Sequence, residues 1–443
     1  MSNRFERTVY YATLGCPKNL VDTERMAAIL QESGFRWVPS PEQAELILVN
    51  TCSFIEPAVR ESAETILELA EYKKTGQCKA LVVAGCLFSR FGGALKESLP
   101  EVDLFVGTDE FQTIGKKLLE SGLAVMEREE SAGVTTGRFR STPPFTSYLK
   151  IAEGCDNACT FCLIPSLRGP YRSVLVEDLL REAGSLSAEG VVELNVVAQD
   201  TTRYGEDLES EVRLPGLMER LARVGDFRWI RALYLYPERV ADELLDVVAA
   251  NERLLPYFDL PLQHVSEPVL KRMGRWRPSW DPYRLIDRIR DRVPDAVIRL
   301  TVMVGFPGET TRDYDELVQF IDRVRPEHVG GFTFYPEEGV PAARLPDQVP
   351  RGERERRLEG LMQLQADISR AKNSARIGSD VTILVEGRSD EYPGLLEGRA
   401  WWHAPEIDGA VFFQGKAGPG EWVRVRITKA SEHDLFGRMI DRL

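Results

Sequence analysis

The sequence predicts an α/β protein in three parts: an N-terminal doubly wound parallel sheet, a central β/α barrel, full or partial, and a small C-terminal antiparallel β-barrel. Near-continuous apolar strands alternate with amphipathic helical patterns through most of the chain, which is typical of parallel sheets covered by helices. From about Asn373 the pattern changes to short strands separated by Gly and Pro turns. A length of 443 residues favours about three domains.

The first segment, residues 1–127, contains three apolar strand patterns, each followed by a helical pattern. The strand patterns are VYYATLGC (9–16), LILVNTC (46–52) and ALVVAGC (80–86). Residues 128–144 are rich in Gly, Ser, Thr and Pro, which indicates a linker or strap.

Each of these three strand patterns ends on a cysteine: Cys16, Cys52 and Cys86. The spacings of 36 and 34 residues correspond to about one strand-helix unit each. Because ligands of open parallel sheets bind beyond the carboxyl ends of the strands, we expect the three thiols to converge there. The alternative is that they are buried core thiols, which is the usual state of a free cysteine. We favour that alternative only for Cys78, which precedes its strand.

The second segment, residues 145–372, repeats the strand-helix pattern. Its strands are predicted in TSYLKIAEGC, VVELNVVAQD, WIRALYLYP, YFDLPLQH and VIRLTVMVGFPGET. Such repetition indicates a β/α barrel whose chemistry lies at the carboxyl ends of the strands. Gln199, Asp200 and the Gly305–Thr310 loop lie at that rim in this prediction.

The net charge of the third segment, residues 373–443, argues against binding of nucleic acid by that segment. This segment carries nine basic and eleven acidic residues, and the whole chain has a formal charge of −13. A barrel that gripped RNA is expected to be basic, so a basic protein partner is at least as natural.

The composition, 43% hydrophobic and 28% charged, is ordinary for a soluble globular protein. The sequence shows neither a signal-peptide pattern nor an apolar run of about 18 residues, so we expect a cytoplasmic protein without a membrane partner. Seven cysteines in a chain of this length indicate metal binding in preference to a disulfide framework.

The stretch GCDNACTFCLIP (154–165) places Cys155, Cys159 and Cys162 in a C-x3-C-x2-C pattern. A four-iron cluster normally takes four thiolates, so a triplet leaves one iron open. An open coordination position is typical of catalytic metal sites. The alternative is a structural zinc ion with a distant fourth ligand, although no histidine lies nearby in the sequence.

This stretch resembles the radical S-adenosylmethionine (SAM) superfamily. The resemblance implies that the amino and carboxylate groups of SAM fill the open iron, and that reductive cleavage releases a deoxyadenosyl radical. It also implies an electron donor of the flavodoxin or ferredoxin type. We expect the protein to be a monomer.

Three N-terminal motifs narrow the resemblance to the methylthiotransferases: TLGCPKN, NTCSFIEPAVRES and VAGCL. The terminal barrel is similar to the TRAM domain of that family. The resemblance implies a second 4Fe–4S cluster on Cys16, Cys52 and Cys86. It further implies that one cluster makes the radical by cleaving SAM, while the other holds the sulfur to be inserted. A first SAM methylates that sulfur, and a second SAM yields the radical.

Two branches of that family differ in substrate. One modifies an adenosine beside the anticodon of transfer RNA, and the other modifies the β-carbon of an aspartate on small-subunit ribosomal protein twelve. AQDTTRYG (198–205), YPEEGVPAA (335–343) and APEIDG (404–409) resemble the ribosomal branch. The acidic charge points the same way, so the ribosomal protein is the predicted substrate and the tRNA the alternative.

The resemblance also suggests further site residues. Phe161, Gln199, Asp200, Gly305 and Gly308 are candidates for contact with SAM. For Phe161 the alternative is shielding of the cluster, for Gln199 and Asp200 capping of a strand, and for the glycines a turn made rigid by Pro307.

Glu337 and Glu338 are candidates for contact with a cationic substrate, while plain solvation is the usual state of such a pair. Two hypotheses from other classes remain open: a non-catalytic iron–sulfur protein whose terminal barrel binds RNA, and an electron-relay protein. Both predict fully ligated clusters.

Overall fold

The computed structural model describes residues 7–123 and 137–443, which fall into two compact units. The first unit holds the described residues up to Ser141 together with Glu153–Asn157 and Cys162–Arg172. The second unit holds Thr142–Ala152, Ala158–Phe161 and Ser173–Leu443. The predicted domain boundary at residue 127 and the linker residues 128–136 lie outside the described residues.

The first unit is built on a five-stranded parallel sheet of order β2-β1-β3-β4-β5. Its strands are β1 (Arg7–Thr13), β2 (Phe35–Trp37), β3 (Leu46–Thr51), β4 (Ala80–Gly85) and β5 (Leu104–Val106). The doubly wound parallel sheet predicted from the sequence is confirmed. The three-residue β2 was not predicted, because so short a strand has no readable alternation.

Helices cover both faces of this sheet. They are α1 (Pro17–Glu32), α2 (Glu56–Ala70), α3 (Tyr72–Thr75), α4 (Cys86–Phe91), α5 (Gly93–Ser98) and α6 (Ile114–Glu120). Leu46 and Leu48 pack into one apolar cluster, whereas Ile47 and Val49 pack into another on the opposite face. Successive strand residues point to opposite faces, so an all-apolar strand requires a cover on each side.

The core of the second unit is a partial β/α barrel of six parallel strands in two runs. The strands are β6 (Thr146–Lys150), β9 (Glu193–Val197), β10 (Trp229–Ala232), β11 (Tyr257–Gln263), β12 (Val297–Val304) and β13 (His328–Thr333). The two-residue strands β7 (Ala152–Glu153) and β8 (Arg172–Ser173) lie between β6 and β9 in the chain. The Leu235 amide donates to the Asp259 carbonyl at 2.9 Å, which joins the two runs.

Helices separate these strands, as the pattern predicts. They are α7 (Ile164–Arg168, in the first unit), α8 (Val176–Ala188), α9 (Leu214–Leu221), α10 (Asp242–Ala249), α11 (Glu267–Met273), α12 (Pro282–Arg292), α13 (Thr311–Val324) and α14 (Arg351–Ala375). Within the described ranges, no helix is both long and apolar enough to cross a membrane.

The C-terminal segment forms a closed five-stranded barrel of order β14-β15-β16-β18-β17. Its strands are β14 (Asp380–Arg388), β15 (Leu396–Arg399), β16 (Val411–Gln414), β17 (Trp422–Ala430) and β18 (Leu435–Arg442). The predicted small β-barrel is confirmed. One of its pairings, β16 with β18, is parallel, so the barrel is not purely antiparallel.

This barrel packs against the amino-terminal ends of the core strands. Trp422 contacts Trp229, the first residue of β10, edge to face at 4.6 Å. The Tyr257 hydroxyl, at the start of β11, donates to Asp408 at 2.6 Å. The C-terminal barrel therefore lies at the end of the second unit opposite the carboxyl ends of the core strands.

A buried ion cluster fixes this junction. Glu193, the first residue of β9, bonds Arg399 at 2.5 and 2.9 Å and Arg231 at 2.9 Å, and all three side chains are almost fully buried. Burial alone raises the pKa of Glu193, but the two guanidinium groups lower it below its usual value. The carboxylate is thus ionised inside the protein because two cations surround it.

Replacing Arg399 tests this junction. Arg399→Met leaves Glu193 with one cation, and breaking a buried pair in this way costs about 3–5 kcal/mol. We expect the urea midpoint of the second unit, followed by tryptophan fluorescence, to fall clearly. Arg424→Met, which breaks an exposed pair with Asp441 in the same barrel, is the matched control and should leave the midpoint near the parent value. Equal midpoints for the two variants would contradict the account.

Candidate metal and cofactor centre

Three cysteines follow three adjacent strands of the first unit. Cys52 comes directly after β3, and Cys86 comes directly after β4 and opens α4. Thr51 and Gly85 are register partners, so Cys52 and Cys86 occupy the next matching positions. The third thiol, Cys16, lies three residues beyond β1, which neighbours β3.

A glycine brings the Cys16 loop against Cys52. Gly15 has a φ of +90°, and a Cβ added there would lie 2.8 Å from the Cys52 Cβ and 3.1 Å from its Sγ. Only glycine fits both the left-handed backbone and this close approach. The structure therefore brings Cys16 to the same sheet edge as Cys52 and Cys86.

Arg168, the last residue of α7, lies beside these thiols inside the first unit. Its Nη1 is 2.9 Å from Asp22 and 3.0 Å from both carboxylate oxygens of Glu153, and its Nη2 donates to Asn19. The side chain is almost fully buried. This role could not be predicted from the sequence, because Asn19 and Asp22 are about 150 residues away in the chain.

The thiols differ in their acidity. Burial raises the pKa of Cys16, but the charges of Lys18 and Arg168 together with hydrogen bonds lower it below its usual value. Burial raises the pKa of Cys52, and it raises that of Cys86 to about 11 even though Arg168 opposes it. Cys16 therefore ionises most readily of the three, whereas Cys52 and Cys86 need a nearby metal or cation to ionise as readily.

The donor set at this sheet edge consists of three thiols from three strand ends. Across the described ranges, no group of three or more His, Cys, Asp or Glu side chains that could hold a metal ion is found. A four-iron cluster takes one thiolate on each iron, so three cysteines are a chemically suitable ligand set for three of its irons.

The second triplet lies on the loop between β7 and α7. Cys155 and Cys162 belong to the first unit, and Cys159 belongs to the second. The Asn157 amide donates to the Cys155 sulfur and the Ile164 amide to the Cys162 sulfur, each at 3.4 Å. Amide hydrogen bonds to sulfur favour thiolates as metal ligands.

Cys159 meets a second buried guanidinium. Nη1 of Arg275 lies 3.8 Å from the Cys159 sulfur, and Nη2 donates to the Pro261 carbonyl at 2.8 Å. The guanidinium lies over the Tyr236 ring, 3.9 Å from its centroid. Like Arg168, Arg275 was not singled out by the sequence, since a lone arginine after a helix carries no pattern.

Phe161 packs into the apolar core of the second unit. It is half-buried and meets Phe306 edge to face at 6.4 Å, beside Met303 and Phe334. The Phe161 ring therefore packs residues 158–161 of the cysteine loop against the apolar core at Phe306, which belongs to the Gly305–Thr310 loop.

Glu309 holds that glycine loop in place. Gly305 and Gly308 both have left-handed φ values, and the Gly305 and Phe306 amides donate to Glu309 at 2.7 and 3.2 Å. The other carboxylate oxygen accepts from Arg357 at 2.7 Å. Burial raises the pKa of Glu309 despite the Arg357 charge. The buried ion pair of Glu309 and Arg357 thus constrains this turn in addition to Pro307.

His264 packs against Glu309, with 3.7 Å between its Nε2 and the carboxylate. The Ser266 amide donates to its Nδ1 at 3.0 Å. Burial lowers the pKa of His264 to about 3, so the ring is neutral. The uncharged ring therefore packs against the Gly305–Thr310 loop at Glu309.

The other predicted residues lie at the carboxyl ends of the core strands. Asp200 is buried and pairs with Arg239 at 2.7 Å, so its carboxylate is engaged inside the protein. Gln199 beside it is half-buried. Glu337 is half-buried and Glu338 is exposed, beyond β13.

Neutralising Glu309 tests how the glycine loop is held. In Glu309→Gln, one oxygen and the charge are lost, so the side chain can no longer serve both the loop amides and Arg357. We expect faster hydrogen exchange at the Gly305 and Phe306 amides. Glu267→Gln, which breaks an exposed pair with Lys271, is the control and should leave those amides unchanged. Unchanged exchange in Glu309→Gln would contradict this account.

Comparison with family models places three matches along the chain. Residues 8–107 match the uncharacterized protein family UPF0004, residues 149–321 the radical SAM superfamily, and residues 377–440 the TRAM domain. The radical SAM and TRAM matches follow the order expected from the sequence motifs.

Full-length relatives are similar to this chain from end to end. A protein of Anaeromyxobacter sp. (strain K), named ribosomal protein uS12 methylthiotransferase RimO, is 48% identical over 98% of this chain and 93% of its own length. Relatives of the same name from Myxococcus xanthus and Trichlorobacter lovleyi are 44% and 43% identical over 100% of this chain, covering 94% and 100% of their own lengths.

Among solved structures, the fold is similar to that of TsrM, a radical S-adenosylmethionine methyltransferase from Kitasatospora setae. The TM-score is 0.56 at 14% identity, over 89% of this chain and 77% of TsrM. At that identity the likeness shows the fold alone.

Proposed function

This chain belongs to the RimO family of ribosomal protein uS12 methylthiotransferases, and on that premise we propose that it adds a methylthio group to the β-carbon of an aspartate of uS12. Similarity over the full length of relatives that carry this name is the observation behind the proposal. The radical SAM match and the two cysteine triplets support it.

The family matches imply SAM and iron–sulfur clusters as cofactors. We assign one 4Fe–4S cluster to Cys16, Cys52 and Cys86, and a second to the triplet Cys155, Cys159 and Cys162. Each triplet leaves one iron without a protein ligand. When bound, the clusters supply an electron for SAM cleavage and a coordination position for the sulfur that is transferred.

The residues of the chain itself provide the surroundings for this chemistry. Amide hydrogen bonds to Cys155 and Cys162 and the Arg275 charge beside Cys159 favour the ionised ligands. The turn at Gly305 and Gly308, held by Glu309, is proposed to present backbone groups to SAM, since glycine permits close approach. The same two glycines also leave room for Arg354 and Arg272, which a Cβ at either position would meet.

The acidic rim of the second unit supports a basic protein substrate. Four exposed acidic side chains follow β9 in the chain: Glu206, Asp207, Glu209 and Glu211. The same stretch holds two arginines, Arg203 and Arg213, so its net charge is negative. Glu337 and Glu338 follow β13 at the same end of the strands. A protein that binds ribosomal RNA carries excess positive charge, so this rim attracts it, whereas it repels the phosphates of a tRNA.

Domain roles follow from the same family membership. We propose residues 1–127 as the methylthiotransferase domain, 128–144 as a linker, 145–372 as the radical SAM domain and 373–443 as the TRAM domain. A ribosomal substrate implies action in the cytoplasm. We further propose a flavodoxin or ferredoxin as the electron donor, and a monomer as the simplest oligomeric state.

The test is an anaerobic assay with competing substrates. The protein, reconstituted with iron and sulfide, receives SAM and a reductant, and is offered uS12 or a hypomodified tRNA in separate reactions. Mass spectrometry should find one methylthio group on an aspartate of uS12 and none on the tRNA. Modification of the tRNA adenosine alone would overturn the proposal.

A further inference from the structure

Arg168 is a buried cation for which the proposed function supplies no role. It ends α7, only 4% of it is exposed, and its guanidinium contacts Asp22, Glu153 and Asn19. Burial of a charge is costly unless its partners repay the desolvation. Because three partners bond this guanidinium, its position inside the first unit is fixed.

The guanidinium also faces the first cysteine triplet. Asn19, which accepts from its Nη2, donates to the carbonyls of Leu14 and Thr51 at 2.9 and 3.0 Å, and Thr51 directly precedes Cys52. The Arg168 guanidinium also lowers the pKa of the three thiols of Cys16, Cys52 and Cys86 against the effect of burial. Its anchors Asn19 and Asp22 lie in the first turns of α1, just after Cys16. The contact therefore spans the helix that follows one cysteine and the strand end that carries another.

Charge balance gives this contact a function. Three thiolates together with the carboxylates of Asp22 and Glu153 concentrate negative charge in a poorly solvated place. Repulsion between them is strong at low dielectric unless a cation lies among them. A guanidinium has five donors in a rigid planar fork and here bonds Asp22, Glu153 and Asn19 together, whereas a lysine ammonium has three donors around a single nitrogen.

Arg168 also connects the two cysteine-bearing segments within the first unit. Glu153, which it bonds, lies two residues before Cys155, and Arg168 itself lies six residues after Cys162. The Leu167 carbonyl accepts from Thr108 at 2.5 Å, which fixes α7 against the first unit.

We propose that Arg168 is a positioning residue for the cluster on Cys16, Cys52 and Cys86, and that it raises the reduction potential of that cluster. The inference rests on the proposed function, since it presupposes a cluster on these cysteines. Hydrogen bonds to the sulfurs and nearby charge set the potential of a cluster. A cluster gains negative charge on reduction, so a nearby cation stabilises the reduced form and makes the potential more positive.

The test uses the full chain with Cys155, Cys159 and Cys162 replaced by alanine, so that only the first triplet can hold a cluster. In this background, Arg168→Gln and Arg168→Lys are compared with the parent for iron content and for reduction potential, by redox titration monitored with EPR. We expect the potential of Arg168→Gln to shift to a more negative value. Arg168→Lys keeps the charge, so its reduction potential should lie between those of the parent and Arg168→Gln.

Arg138→Gln in the same background is the matched control. The Arg138 side chain is about as inaccessible as that of Arg168 and pairs with Glu24, two residues from Asp22 on α1, so its loss removes a similar ion pair. It should leave the potential at the parent value. Loss of iron from Arg168→Gln at an unchanged melting temperature, with recovery in Arg168→Lys, would also support the positioning role.

Two other outcomes count against the inference. The role of Arg168 is overturned if the cluster of Arg168→Gln has the reduction potential of the parent, or a potential shifted no further than that of Arg138→Gln. Either result would leave the cluster assignment itself intact. If Arg168→Gln does not fold, an Arg168→Lys potential equal to that of the parent would overturn the role of Arg168 as well. Absence of any cluster in the parent background would contradict the two-cluster assignment and this inference together, whatever the result of the uS12 assay.

Discussion

The candidate centre of the first unit depends on one constraint: thiols that enter from three strand ends must be charged in a place with little water. The parallel register brings Cys52 and Cys86 level with each other, and Gly15 lets the Cys16 loop close on them. Burial opposes ionisation of all three. Arg168 provides an opposing charge for all three thiols, and Lys18 adds a second one for Cys16. The partners of Arg168 on α1 and at Glu153 fix where its charge lies.

The second unit separates its supporting contacts from its reactive rim. The C-terminal barrel packs on the amino ends of the core strands through Arg399, Asp408 and Trp422. The glycine loop lies at the carboxyl ends, where ligands of β/α barrels bind. A substrate that touched both the C-terminal barrel and the rim would have to extend along the side of the unit.

Local patterns in the sequence were sufficient for the regular parts of the fold and for the cysteines. Apolar strands that end on Cys16, Cys52 and Cys86 recur at a regular spacing, so both the sheet and the edge that carries the thiols could be predicted. The strand β13, HVGGFT, was missed because its glycines lower strand propensity. Gly331 lies there because a Cβ would approach a side chain of α14, Leu358, to 2.8 Å, a contact that only the tertiary structure reveals.

The charged groups around the candidate site could not be predicted, since their partners are distant in the chain. Arg168 meets residues on α1, and Glu309 meets Arg357, 48 residues later. A single charged residue forms no repeating pattern along the sequence. Arg168 in LIPSLRG therefore cannot be distinguished from an arginine on the surface. Asp200 likewise pairs with Arg239, 39 residues later in the chain.

The measurement that tests the two-cluster account most directly is removal of one triplet at a time. With Cys16, Cys52 and Cys86 all replaced by alanine, the reconstituted protein should keep about four irons and still cleave SAM to deoxyadenosine, yet transfer no methylthio group. With Cys155, Cys159 and Cys162 replaced, it should keep about four irons but cleave no SAM. Loss of SAM cleavage from the first variant, or methylthio transfer by either one, would contradict the division of labour between the triplets.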